Sequence, residues 1–86
     1  MLVVDIGNTN IVIGVYSNKK LTLILRLKTH EKKLLQKLYG HFKLRKINSL
    51  NLDYNNCIIS SVSSFSTNEI IKFFKKLKFS ILNINT

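Results

Sequence analysis

Asp5-Ile6-Gly7-Asn8-Thr9-Asn10 lies between two apolar runs, Leu2 to Val4 and Ile11 to Tyr16, and sets an acid beside a turn of phosphate size. A carboxylate closing a strand expected to be buried must be compensated by hydrogen bonds, a cation or water, because an unpaired charge is costly in an apolar interior. A bound metal-nucleotide supplies such compensation. Gly7 lets the backbone approach a ligand, Asn8 tolerates turn conformations, and Thr9 and Asn10 add side-chain donors to amides that face phosphate oxygens. The same residues also suit an ordinary β-hairpin with Asp5 hydrogen-bonded to its turn, so turn chemistry alone leaves both readings open.

The elements that must hold this hexapeptide follow from periodicity. Leu2 to Ile6 is a nearly continuous apolar run, the kind buried on both faces in the centre of a sheet. Ile11, Ile13 and Val15 alternate with Val12, Gly14 and Tyr16 in a second strand, and Ser17-Asn18-Lys19-Lys20 is a turn. A third strand follows, with Leu21, Leu23, Leu25 and Leu27 expected on one face and Thr22, Ile24 and Arg26 on the other. From Glu31 to Phe42 the period becomes helical, with Leu34, Leu35, Leu38 and Phe42 on one side and Gly40 a point of fraying. Asn48 to Asn56 reads as a loop and Cys57 to Val62 as a short buried strand. Ser66 and Glu69 have capping-box spacing ahead of the stripe Ile70, Ile71, Phe74 and Leu77, and Phe79 to Ile84 is the last strand. The order β-β-β-α-β-α-β predicts an α/β fold in which an antiparallel meander continues into parallel strands through helical crossovers. With no internal repeat or Pro/Gly linker, residues 1–86 form a single domain.

Eighty-six residues suit one small domain that buries about 60–65% of its unfolded surface, with little room for a complete two-substrate active site. No apolar run approaches the ~18 residues of a membrane span and no leader pattern is present, so a cytoplasmic location without membrane association is expected. Cys57 is the single cysteine, which fits a reduced compartment and a small buried hydrophobe. The net charge of +10 invites a nucleic-acid reading. Its distribution argues against one: Lys32, Lys33, Lys37, Lys43, Arg45 and Lys46 lie in one helical region and Lys72, Lys75, Lys76 and Lys78 in another, each interleaved with apolar residues, as on solvated helix faces.

Three segments carry a family resemblance: Asp5-Ile6-Gly7-Asn8-Thr9-Asn10-Ile11-Val12, Arg26-Leu27-x-Thr29, and Ile58-Ile59-Ser60-Ser61-Val62 ahead of a helix. In order and spacing they resemble type III pantothenate kinase, of the acetate kinase, sugar kinase, Hsp70 and actin superfamily. The resemblance implies a ribonuclease-H-like mixed sheet that is the N-terminal, phosphate-binding half of a two-domain kinase. It further implies that Asp5 holds Mg²⁺ through water, while Ile6, Gly7, Asn8, Thr9, Asn10, Ile11 and Val12 surround the ATP phosphates. The implied reaction is ATP-dependent phosphorylation of pantothenate, the first step of coenzyme A biosynthesis, in a homodimer assisted by K⁺ or NH₄⁺.

The departures are as informative. The family's Gly-x-Asp-Arg, whose Asp takes the proton from the pantothenate hydroxyl, has no counterpart here and is expected beyond Thr86, with the monovalent-cation site and the second domain. His30-Glu31-Lys32-Lys33 does not match the family's run after Thr29, and Ser63-Ser64-Phe65 replaces its usual prolines. No substitute base stands out. His30 and His41 form no metal-ligand spacing, Asp53 reads as a turn residue, and Ser60, Ser61, Ser63 and Ser64 lack a nucleophile-elbow context. The chain is therefore expected to be a truncated kinase, inactive alone, that leaves apolar interface surface exposed. The alternatives are a nucleotide-binding or partner-docking half-domain and, more remotely, a weak nucleic-acid binder.

Overall fold

The computed structural model describes residues 1–45, 47, 56–62 and 67–85 of the chain. Its elements are β1 (Leu2–Ile6), β2 (Asn10–Ser17), β3 (Lys20–Lys28), α1 (Leu34–Leu44), β4 (Asn56–Ser61), α2 (Thr67–Lys76) and β5 (Ser80–Asn85), in the order expected from the sequence. They form an α/β fold around one mixed sheet of order β3-β2-β1-β4-β5. β1 pairs antiparallel with β2 and β2 with β3, whereas β1–β4 and β4–β5 are parallel. This is the ribonuclease-H-like arrangement.

Both crossovers step along the sheet in the same direction, so their common right-handedness places α1 and α2 on one face. The alternating strands bury Leu2, Val4, Ile6, Ile11, Ile13, Val15, Leu25, Leu27, Cys57 and Ile59 under those helices. Leu34, Leu38 and Phe42 of α1 and Ile70, Phe73 and Phe74 of α2 complete the core. Edge-to-face stacking of Phe42 on Phe73 (5.6 Å), Phe73 on Phe74 (5.2 Å) and Phe74 on Phe79 (5.9 Å) ties the two helices to the approach to β5.

β1 is the central strand, as expected, but it is not buried on both faces. Val3 is half-buried and Asp5 exposed, because these residues point to the face without helices. Asp5 therefore carries no burial penalty, which corrects the expectation that its charge demands compensation. The third strand also differs from a simple alternation. The register pairs Val15 with Leu23 and Tyr16 with Leu21, so a β-bulge at Thr22 turns Leu21 to the face of Tyr16 and away from Leu23, Leu25 and Leu27. The Thr22 hydroxyl donates to the Val15 carbonyl (3.0 Å) and stabilises the bulge.

α1 begins at Leu34 rather than Glu31, because Lys33 takes a left-handed conformation (φ 56°). Glu31 pairs instead with Lys37, whose ammonium and hydrogen bond hold its carboxyl below the usual range. The helix passes through Gly40 to Leu44 without a break, since its packed stripe outweighs one poor helix former. Positions 48–55, which include Asp53, and positions 63–66, which include Ser63, Ser64 and the proposed cap Ser66, lie outside the described residues. Among the described residues no helix is long and apolar enough to cross a membrane.

Candidate functional site

In sheets with parallel strands, ligand crevices open at the C-terminal ends of those strands. The hexapeptide lies there. The Val62 N–H, just past β4, donates to the Ile6 carbonyl at the end of β1 (3.0 Å), so the β1–β2 loop and the exit of β4 form one rim. Across the helix-free face the register lines up Arg26, Val12, Asp5, Ser60 and Ile84, one residue from each strand. Arg26 and Asp5 are exposed and stand two strands apart, roughly 10 Å.

The loop is built from its backbone. The Gly7 N–H donates to the Asn10 carbonyl (2.9 Å), leaving Asn8 and Thr9 at the tip. Neither tip residue, nor Gly7, has a positive φ. A Cβ on Gly7 would stand 3.1 Å from the Asn10 carbonyl oxygen, so close approach of the loop to itself, not a left-handed conformation, favours glycine there.

Thr29, one residue past β3, is 1% exposed and clamps the loop from below. Its hydroxyl donates to the Gly7 carbonyl (2.7 Å) and its N–H to the Thr9 carbonyl (2.9 Å). The carbonyls of Gly7, Thr9 and Asn10 are thus all engaged within the protein. Among the described residues no backbone hydrogen bond uses the N–H of Asn8 or Thr9. Sequence reading marked Thr29 in a motif without giving it a task. Its signal was a small hydroxyl residue immediately after an alternating strand.

Of the other sequence-predicted site residues, Asn8, Thr9 and Asn10 are exposed, Ile6 and Ile11 are wholly buried, and Val12 is half-buried between Asp5 and Arg26. Ile6 and Ile11 can thus offer only backbone groups to a ligand. Ser60 shares the face of Asp5, whereas Ser61 is buried and its Oγ lies 2.7 Å from Thr67 Oγ1, tying the end of β4 to the first residue of α2.

The family model for type III pantothenate kinase matches residues 1–86. The chain belongs to the type III pantothenate kinase family. The type III pantothenate kinase of Borrelia garinii subsp. bavariensis is 27% identical over 74 residues, a match that covers 86% of this chain and 28% of that relative. The chain thus spans just over a quarter of that pantothenate kinase's length.

A kinase transfers a phosphoryl group, and that chemistry asks for alignment and charge neutralisation more than for a protein nucleophile. Burial pushes the Cys57 thiol up to about 12, so it is neutral and inert at physiological pH. His30 is exposed, and His41 Nδ1 lies 3.0 Å from Arg45 Nη1 on the outside of α1. No group of three or more His, Cys, Asp or Glu gathers among the described residues.

Proposed function

We propose that this chain forms the phosphate-cradling half of an ATP-dependent pantothenate kinase, which catalyses the first step of coenzyme A biosynthesis. The observation that carries this reading is the β1–β2 loop. Three of its carbonyls are drawn into the protein while the amides of Asn8 and Thr9 remain available, an arrangement suited to phosphate oxygens. Gly7, Asn8, Thr9 and Asn10 line the phosphate tail, held from the paired strand ends by Ile6, Ile11 and Val12.

Asp5 suits Mg²⁺, which keeps most of its waters and takes one or two protein carboxylates. The side chain is exposed at a rim, and no ion pair among the described residues engages it. Magnesium there would neutralise phosphate charge. The chain's own contribution is to hold the acid on β1 and the amides on the loop that follows it in a fixed position.

The proton of the pantothenate hydroxyl needs a base. Of the four acids, Asp5 is assigned to the cation, Glu31 is paired with Lys37, Glu69 lies on α2, and Asp53 falls outside the described residues. In our reading the base is the Asp of the family's Gly-x-Asp-Arg, supplied with the second domain. Homodimerisation, use of K⁺ or NH₄⁺ and a cytoplasmic setting are proposed with it as properties of the complete enzyme.

The test is ATP binding by calorimetry with and without Mg²⁺, followed by a pantothenate phosphorylation assay. The 86-residue chain should bind MgATP more tightly than ATP alone, and Asp5→Asn should abolish the difference. The chain alone should not phosphorylate pantothenate. Turnover by the isolated chain that Asp5→Asn removes, or binding that ignores both magnesium and Asp5, overturns the reading.

A further inference from the structure

We propose that the groove between α1 and α2 docks an acidic amphipathic helix of a partner protein. The groove lies on the helix side of the sheet, away from Asp5, and this proposal stands apart from the phosphate site. Phe73, which meets Phe42 edge to face between the helices, lies at the surface of an open furrow of about 630 Å³. Leu35 and Tyr39 line it from α1 and Phe73 from α2. Tyr39 remains 55% exposed, although it lies beside a half-buried Leu35.

Length and charge select the occupant. Helices of 11 and 10 residues give a furrow ~15 Å long, room for about three turns of a third helix packed against both. The rim is basic toward one end: Lys72, Lys75 and Lys76 line it, with Glu69 alone in the first turn of α2. The chain carries +10 overall, so a second copy would bring lysines against lysines. A nucleic-acid backbone would meet an apolar floor in place of amide donors. An acidic helix with a stripe of leucines satisfies floor and rim together, with its acidic end beside the last turn of α2.

The probes are two synthetic helical peptides of roughly 12 residues with the same leucine stripe, one flanked by Glu and one by Lys. Each is titrated into the ¹⁵N-labelled 86-residue chain. The Glu peptide should shift the amides of Leu35, Tyr39 and Phe73, and the Lys peptide should bind at least about tenfold more weakly. The double variant Lys72→Glu/Lys76→Glu should reverse that preference while its sheet resonances stay in place. Equal affinity for the two peptides, shifts confined to the helix-free sheet face, failure of the charge swap to reverse the preference, or tighter binding of a single-stranded DNA oligomer overturns the proposal.

Discussion

The meander contains two tight turns built on opposite principles. Between β2 and β3 the chain reverses through Asn18 and Lys19, both left-handed (φ 52° and 63°), the geometry whose twist matches paired strands. Its reversal comes from the backbone conformation of these two tip residues, between the paired Ser17 and Lys20. Between β1 and β2 the tip residues Asn8 and Thr9 avoid the left-handed region, and the loop is held by Thr29 from 22 residues away. The β2–β3 turn is set by local backbone conformation. A clamped turn has its carbonyls held from one side, and its amides stay available on the other. The difference separates a turn that only reverses the chain from the one proposed above to receive phosphate.

The clamp is where the comparison breaks most visibly. Thr29→Val keeps the shape of the side chain but removes the donor to the Gly7 carbonyl, leaving that oxygen short of a partner in a part-buried setting. Urea denaturation should show a loss of about 2 kcal/mol, and MgATP affinity should fall severalfold as the loop loosens. Thr29→Ser retains the hydroxyl and should recover most of the affinity. An unchanged affinity in Thr29→Val would mean that the loop holds its shape without the clamp.

Gly7→Ala tests the loop from within. The added methyl would meet the Asn10 carbonyl oxygen at 3.1 Å, and that oxygen is already fixed by the Gly7 N–H. Because the obstructing atom is backbone, the loop has little room to yield, and the variant should lose about 1 kcal/mol together with part of its nucleotide affinity. A neutral result would show that the glycine serves only the approach of a ligand.

The two turns also mark what could be read from sequence. Strand alternation made the meander, the parallel strands and both helices legible, because periods of 2 and 3.6 are local properties. The alternation also contained the position of Asp5, out of phase with Leu2, Val4 and Ile6. Its exposure depended on both crossovers placing their helices on one face, a consequence of topology that β1 alone does not display. The bulge at Thr22 was hidden because it is decided by pairing with Val15 and Tyr16 across the strand. The clamp was hidden because a threonine's partner 22 residues away follows from the assembled sheet. The helix-free face explains the apolar side chains left at the surface. Ile24, Leu82 and Ile84 are 54%, 59% and 46% exposed along it.

The smallest effect should come from the other turn and should carry the opposite sign. Lys19 occupies the left-handed region without the freedom of glycine, and its side chain is exposed. Lys19→Gly creates an Asn-Gly pair at the tip, relieves the Cβ clash and should stabilise the chain by about 0.5–1 kcal/mol. Because this turn lies at the far end of β2 from the β1–β2 loop, MgATP affinity should not move. Combined with Thr29→Val, the two stability changes should add, since the sites lie at opposite ends of the β2–β3 pair. Gain of stability without change in binding would establish that the meander's two ends are independent. A shift in nucleotide affinity would instead show that the β2–β3 turn also sets the geometry of the clamped one, through the register of β2.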